Sequence, residues 1–220
     1  MEIKVHTGIL SQNDQDALEN KRVFLENKAM VINVMGSPGS GKTTLLEKTI
    51  DMLADKIKLA VIEGDIYTSK DARRIEKRGV PVKQINTGGA CHLDAAMVAK
   101  VLGCFNLAEL DLLIIENVGN LVCPVEFNLG EDLKVAVLSI TEGDDKPLKY
   151  PLLFRESAAV VLNKVDLLGF TDVNMDNLRT DIKKINSKVE IFEVSARTNQ
   201  GISEWTQWLV QIVNQKNAQV

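Results

Sequence analysis

The strongest constraint on how this chain can fold is an octapeptide, Gly36-Ser37-Pro38-Gly39-Ser40-Gly41-Lys42-Thr43. It follows at once on the apolar stretch Met30-Val31-Ile32-Asn33-Val34-Met35. The pattern is G-x-x-x-x-G-K-S/T in the context it requires, a strand before and a helix after. Glycines let the backbone curl until successive N–H groups converge on phosphate oxygens. A helix beginning near Lys42 adds the partial positive charge of its N-terminus. In such a loop the lysine, here Lys42, reaches the β- and γ-phosphates, and the hydroxyl of Thr43 ligates Mg2+. Gly36, Ser37, Gly39, Ser40, Gly41, Lys42, Thr43 and Thr44 are the expected phosphate contacts.

The rest of the chain supplies a sheet for this loop. Short apolar runs recur at Met30–Met35, Lys58–Ile62, Val80–Ile85, Leu112–Ile115, Val135–Ile140, Ala158–Leu162 and Val189–Val194. Most are continuous rather than alternating, as in strands buried on both faces. Helical spacing lies between many of them, at Thr43–Leu53, Ser69–Arg78, Leu93–Phe105 and Met175–Ile185. A last helix is expected over Gly201–Gln215, with Ile202, Trp205, Leu209 and Ile212 on one face. This alternation predicts an α/β fold, a P-loop NTPase with a mostly parallel central sheet flanked by helices. At 220 residues, with no repeat or low-complexity tract, one such domain is expected over 29–220. Residues 1–28 read as a polar N-terminal helical extension. There Ser11-Gln12-Asn13-Asp14 is placed to cap a helix to Asn27, with Leu18 and Leu25 on one face.

Charge and cysteine usage narrow the class. Lys and Arg number 26 against 30 Asp and Glu, a net charge of −4, which argues against a nucleic-acid partner. No targeting segment or apolar run long enough for a bilayer is visible, so no membrane association is expected. Three cysteines (Cys91, Cys104, Cys123) and two histidines (His6, His92) suit a reducing, cytoplasmic setting rather than a disulfide framework.

Two further segments specify the base. The run Ala159–Leu162 ends in Asn163-Lys164-Val165-Asp166. An aspartate at the place of Asp166 accepts hydrogen bonds from guanine N1–H and N2–H, and adenine presents the opposite pattern. Lys164 is expected to lay its stem along the base and Asn163 to brace the loop. About thirty residues on, Ser195-Ala196-Arg197 resembles the Ser-Ala-Lys element of GTPases, whose backbone meets guanine O6. GTP is therefore expected over ATP.

Carboxylates follow the second and fourth runs. In Glu63-Gly64-Asp65-Ile66-Tyr67-Thr68-Ser69-Lys70-Asp71, Asp65 or Asp71 is a candidate to hold Mg2+-bound water or to orient the attacking water. Leu112–Ile115 runs into Glu116-Asn117-Val118-Gly119, where Ras-like GTPases carry Asp-x-x-Gly. Glu116 is thus a magnesium candidate, and Asn120 stands where those enzymes carry a catalytic Gln. Lys42, Asp65, Asp71 and Glu116 form the expected catalytic set. No arginine finger is identifiable, so turnover should be slow.

The remaining chemistry is sulfur and imidazole. Cys91-His92 follows Thr87-Gly88-Gly89-Ala90, and Cys123 follows Asn120-Leu121-Val122. Both segments trail strands of one sheet, and thiolate with imidazole suits Zn2+ or Ni2+. Neighbours on a regular strand face opposite ways. Cys91 and His92 therefore need either a kink, which Gly88-Gly89 permits, or a second subunit. Three ligands leave a site open or shared. Cys104, beside Leu102 and Phe105, reads as a small buried hydrophobe.

The segments Glu-Gly-Asp-Ile-Tyr-Thr-Ser-Lys-Asp, Gly-Gly-Ala-Cys-His-Leu and Glu-Asn-Val-Gly-Asn-Leu-Val-Cys-Pro resemble the HypB family of NiFe-hydrogenase maturation GTPases. So do the phosphate loop, Asn-Lys-Val-Asp and Ser-Ala-Arg-Thr, and the resemblance spans about residues 30–205. It implies a SIMIBI-class fold and a slow GTPase cycling between GTP and GDP with Mg2+. It also implies GTP-dependent homodimerisation, a Ni2+ or Zn2+ site of Cys91, His92 and Cys123 at the dimer interface, and nickel delivery to the hydrogenase large subunit with a HypA-like nickel chaperone. It further brings in Lys146 and Lys149 of Asp-Asp-Lys-Pro-Leu-Lys, toward guanine or the partner subunit. Many relatives carry a cysteine-containing or His-rich nickel motif at the N-terminus; residues 1–28 have neither, so tight N-terminal nickel binding is not expected. The UreG group shares Asp-Ile-Tyr-Thr, but its Cys-Pro-His motif is absent. A cobalamin or urease chaperone GTPase, or a small-molecule P-loop kinase with structural cysteines, are the alternatives.

Overall fold

The computed structural model describes residues 5–218, with side chains from Leu10 onward, so the His6 side chain lies outside the described part. Seven strands form one sheet: β1 Met30–Met35, β2 Leu59–Asp65, β3 Val82–Asn86, β4 Leu112–Glu116, β5 Leu133–Ser139, β6 Ser157–Asn163 and β7 Glu190–Glu193. Their order is β3-β2-β4-β1-β5-β6-β7. Every pairing is parallel, so the sheet is wholly rather than mostly parallel. The nine α-helices among the described residues are α1 Val5–Glu26, α2 Lys42–Leu53, α3 Lys70–Glu76, α4 Ala95–Leu102, α5 Cys123–Glu126, α6 Lys146–Lys149, α7 Pro151–Glu156, α8 Met175–Ile185 and α9 Ile202–Ala218. None is long and apolar enough to cross a membrane.

Helices on both faces explain the unbroken apolar runs of the strands. On one face Ile32, Val34, Val61 and Ile114 pack against Leu46 and Ile50 of α2 and Trp205 and Leu209 of α9. The indole Nε1 of Trp205 donates to Thr49 Oγ1 at 2.9 Å, so this buried aromatic has its polar atom satisfied. On the other face Val31, Ile62, Leu113 and Ile115 pack against Phe24 of α1 and Val98 of α4. The β5–β6 half is covered by α7 and α8 through Leu153, Phe154, Leu178 and Ile182. β1 lies at the centre, with β4 on one side and β5 on the other, so the chain reverses its direction of winding at β1. Ligands of open parallel sheets sit at that point, past the carboxyl ends of the strands.

Three expectations need correction. The first helix starts earlier than a cap at Ser11 would set, and its buried stripe is Asn13, Ala17, Asn20 and Phe24, while Leu18 and Leu25 are 69% and 49% exposed. The stripe is half polar because Asn13 donates to the Asn128 carbonyl, and Asn20 to those of Ala95 and Leu129. Apolar spacing cannot register such a face. Cys104 is exposed: α4 stops at Leu102, which leaves the cysteine in the turn beyond it. Finally, α5, α6 and α7 hold only four to six residues, too few for periodicity to register, although each carries a proline in its first turn.

The packing of α1 makes a prediction. Phe24 is fully buried among sheet residues, so Phe24→Ala should lower the unfolding free energy by about 3–5 kcal/mol, the cost of emptying a core aromatic site. Urea denaturation checks this; a loss under ~1 kcal/mol would mean that α1 is a loosely held appendage.

Candidate nucleotide and metal site

The carboxyl ends of β1, β2 and β4 open into a cleft of about 520 Å³, lined by the phosphate loop, Glu63–Ile66, Asp71, Arg74 and Glu116–Gly119. Gly41 enters α2 with φ +94°, a left-handed conformation, and a Cβ there would stand 2.4 Å from Asn163 Nδ2. Lys42 is buried, its ammonium folded over the loop onto the Gly36 and Ser37 carbonyls at 3.3 Å each. The hydroxyls of Ser37 and Ser40 are buried without a hydrogen-bond partner among the described residues. A loop of N–H groups, hydroxyls and one ammonium at a helix start is chemistry for phosphate.

Beneath the loop lies a pair of acids. Glu63 on β2 and Glu116 on β4 are register partners, 2% and 3% exposed. Thr43 Oγ1 donates to Glu116 Oε1 at 2.9 Å, and the second oxygen of each carboxyl has no partner. Burial, with Glu116 beside it, pushes the Glu63 carboxyl up to about 11. Burial also raises Glu116, against the pull of Lys42 and Thr43. Two unpartnered carboxyl oxygens beside a hydroxyl form an all-oxygen donor set that fits Mg2+. Glu63 was not among the expected site residues; its signal is its position directly before Gly64-Asp65, opposite Glu116 across the sheet.

The two aspartates differ in setting. Partial burial acts to raise Asp65, but the backbone N–H groups of Tyr67 and Thr68, the Thr68 hydroxyl and the Ile66 N–H together hold it below its ordinary range. Asp71 pairs with Arg74 at 2.9 Å, and Arg74 also reaches Glu47 at 2.6 Å and Thr44 Oγ1 at 3.0 Å. Arg74, a cation on the cleft wall, is a second residue that spacing did not single out. Asn120 is not on that wall: its side chain accepts from Val122 N at 2.9 Å and donates to the Cys91 carbonyl at 3.4 Å.

Next to the cleft, Gly41, Thr44, Asn163, Lys164, Asp166, Ala196 and Arg197 help to line a second hollow of about 230 Å³. Asn163 is its keystone. Its Nδ2 donates to Ser40 O at 2.9 Å, and its Oδ1 accepts from Lys164 N at 2.8 Å and Ala196 N at 3.2 Å. The Lys164 ammonium reaches across to Gly39 O. The N–H groups of Ser195 and Ala196 are both engaged inside the protein, on Gln200 O and Asn163 Oδ1, so this pair shapes the hollow through Asn163. Lys146 and Lys149 do not line it: Lys149 pairs with Asp145, and Lys146 sits 5.9 Å over the Tyr150 ring. The short helix α6 faces α7 and α8 instead.

Cys91, His92 and Cys123 come together within one chain, with one ligand atom from each inside a 4.8 Å cluster. Cys91 Sγ lies 3.2 Å from Cys123 Sγ and 3.7 Å from His92 Nδ1. The kink that lets adjacent residues share a focus is present: Gly88 has φ +61° and Gly89 φ +112°. The His92 ring stacks on Phe127, centroids 3.8 Å apart, which fixes its orientation. Burial lowers His92 toward the neutral imidazole a metal needs. The Cys91 thiol, then burial, push Cys123 up.

Known proteins resemble this chain in sequence and in fold. Residues 30–193 match the family model "CobW/HypB/UreG, nucleotide-binding domain". The hydrogenase maturation factor HypB of Azotobacter vinelandii is 48% identical over 94% of this chain and 68% of its own length. The hydrogenase/urease maturation factor HypB of Helicobacter pylori J99 is 41% identical over 96% and 88%. Among solved structures, HypB from H. pylori in complex with nickel superposes with a TM-score of 0.88 at 39% identity, covering 93% of this chain and 96% of that one. HypB from Archaeoglobus fulgidus gives 0.87 at 38%, covering 92% and 99%. A LAO/AO transport system kinase (19% identical, TM-score 0.59) shares the fold alone. With a phosphate loop, a hollow beside it lined by Asn163, Lys164 and Asp166, and a Cys-His-Cys cluster on one sheet edge, and with these relatives, the chain belongs to the HypB family of hydrogenase maturation factors, within the CobW/HypB/UreG nucleotide-binding proteins.

Proposed function

We propose that this protein is a cytoplasmic, slowly GTP-hydrolysing metallochaperone. It binds nickel or zinc at Cys91, His92 and Cys123, dimerises with GTP, and assists nickel insertion into NiFe hydrogenase with a HypA-like chaperone and the hydrogenase large subunit as partners. The observation that carries this reading is the ligand cluster, within 4.8 Å, built on the loops after β3 and β4, on the same edge of the sheet as the phosphate cleft. The nickel complex of the H. pylori relative supports it. Three ligands fall one short of a closed tetrahedral site. A fourth position open to water or to a second subunit suits a metal that must leave again, and a reducing cytoplasm keeps the thiols available.

In this reading Asp166 selects guanine, and Lys42 and the loop N–H groups hold the phosphates. Thr43 and Glu116, with Asp65 or Asp71, hold Mg2+ and its water. Mg2+ supplies neutralisation of phosphate charge in transfer to water. Nucleotide state then reshapes the metal ligands, because the segment bearing Cys123 continues from Glu116 at the end of β4 and the Cys91-His92 loop follows β3, the neighbour of β2. Lys146 and Lys149 serve the partner subunit rather than the base.

Three outcomes test the reading. Asp166→Asn presents an N–H to guanine where an acceptor is needed; it should weaken GTP by at least about 10²-fold and improve binding of xanthosine triphosphate, measured by calorimetry. Cys123→Ala should abolish most Ni2+ and Zn2+ binding in titration, and unchanged affinity would sink the metal site. The acid pair predicts a pH dependence. In the native, Mg2+-free protein Glu63 stays protonated to about 11, while unfolded Glu ionises near ~4.3, so the native state binds the extra proton and stability falls as pH rises between these values. Unfolding free energy in chelator should therefore decline from pH 6 to 8 by up to ~1.4 kcal/mol per unit more in wild type than in Glu63→Gln. Equal slopes would show that Glu63 binds no extra proton in the native state.

A further inference from the structure

The Cys-His loop is fastened to the nucleotide cleft by a side chain that neither phosphate nor metal chemistry calls for. Asn117, 1% exposed, is the first residue past β4 and is peptide-bonded to Glu116. Its Oδ1 accepts two backbone N–H groups, from Leu93 at 3.0 Å and from Val118 at 3.0 Å. Both partners are donors only, so the atom facing them is the amide oxygen. Leu93 is joined directly to the ligand His92; Val118 belongs to the segment that lines the phosphate cleft. One oxygen atom thus carries the metal loop and the switch segment together. Its Nδ2 donates to Asn33 Oδ1 at 3.2 Å, and Asn33 in turn donates to Glu131 at 3.3 Å, so the amide is anchored to the central strand from behind.

A second tether runs parallel to the first. Asn120 N donates to the Gly36 carbonyl at 3.0 Å, the first residue of the phosphate loop, and its side chain donates to the Cys91 carbonyl at 3.4 Å. The same side chain accepts from Val122 N, beside Cys123. Leu93 is itself fully buried, and a Cβ on Gly64 of β2 would stand 2.8 Å from its side chain, so this end of the loop is packed closely on β2. Any ligand that displaces the Glu116–Gly119 backbone must move Leu93 with it or break a buried hydrogen bond, and leaving a buried N–H unpaired is unfavourable.

We propose that Asn117 is the positioning residue that transmits nucleotide state to the metal ligands, through the side-chain oxygen shared by Leu93 and Val118, with Asn120 as the second tether. This rests on the reading above, in which Cys91, His92 and Cys123 bind metal and respond to nucleotide. The test is Ni2+ affinity by competition titration on the full chain, in the GDP form and with a non-hydrolysable GTP analogue. Wild type, Asn117→Ala, Asn117→Asp and Asn120→Ala are compared, and the Ni2+–thiolate absorption band is recorded alongside. In wild type the two affinities should differ by at least about threefold. Asn117→Ala should bring the ratio to about one. Asn117→Asp keeps an oxygen for both N–H groups but loses the donor to Asn33, so it should keep more of the ratio than Asn117→Ala. Asn120→Ala should lower the ratio part of the way.

A purely structural role predicts something else: a lower Tm and weaker Ni2+ binding by the same factor in both nucleotide forms, with the ratio intact. That result for Asn117→Ala would overturn the proposal. Should Asn117→Ala fail to fold, Asn120→Ala, at a less buried position, decides: a ratio unchanged from wild type overturns it, and a reduced one supports it. A wild-type ratio of one, with Ni2+ still bound through Cys123, would instead refute the nucleotide coupling on which the assignment stands.

Discussion

The hydrogen bond from the Thr43 hydroxyl to Glu116 joins the phosphate loop to the end of β4, and much of the site's logic depends on it. It brings together the first turn of α2, the acid pair with Glu63, and the segment that runs on through Asn117 and Asn120 to Cys123. The bond is possible only because β1 and β4 are parallel neighbours, with Val34 in register with Glu116, so their ends open on the same edge. In an antiparallel pair the loop and the acid would stand at opposite ends. Buried carboxyls without full pairing are unfavourable in themselves. The seven-stranded sheet and its two helical layers hold them in place, as expected where an arrangement is kept for a ligand rather than for stability.

Contiguous features were legible in the sequence. The phosphate loop, Asn163-Lys164-Val165-Asp166 and the five inner strands declare themselves because their residues act on near neighbours or are largely buried on both faces, and the edge strands β3 and β7 follow from their apolar positions. The kink at Gly88-Gly89 was legible too, since adjacent ligands demand one. What stayed hidden depends on register and on contacts between distant segments. Glu63 matters because β2 and β4 pair so that it meets Glu116 across the sheet. Phe127 matters because its ring meets His92. Arg74 matters through Asp71, Glu47 and Thr44, which lie on two helices. Asparagines defeat an apolar code altogether: Asn13 and Asn20 form part of the core side of α1, and the regular spacing of Leu18 and Leu25 points to solvent. Asn120, placed by analogy at the hydrolytic water, turns toward the metal loop instead.

Amide side chains recur wherever two functional segments meet. Asn163 couples the phosphate loop to the base loop and to Ala196; Asn117 and Asn120 couple the switch to the metal loop; Asn13 and Asn20 couple α1 to the start of α4. An amide offers a donor and an acceptor on one short, uncharged group, so it can bind two backbone segments at once without the desolvation cost of a buried ion. Such a junction is also directional. It breaks when one segment moves by more than a fraction of an ångström, so movement is either shared or resisted, never gradual.

That property bears on how a metal held by Cys91, His92 and Cys123, as proposed above, would be controlled. Cys91 is exposed and Cys123 half-buried, so solvent and partners reach them, and the protein cannot hold a metal there by enclosure. Affinity must instead come from placing the ligand atoms together. Cys91 and His92 lie on a loop that turns at Gly88 and Gly89, both with positive φ, and Cys123 starts a four-residue helix. Neither element fixes the triad alone. What sets the distance between them is the pair of tethers to the cleft, at Leu93 and at the Cys91 carbonyl. On the coupling proposed above, a change of phosphate occupancy that strained either tether would alter the ligand spacing without a large domain motion. Small displacement is enough, because thiolate and imidazole donors must stay within a few tenths of an ångström of about 2.0–2.3 Å from the metal.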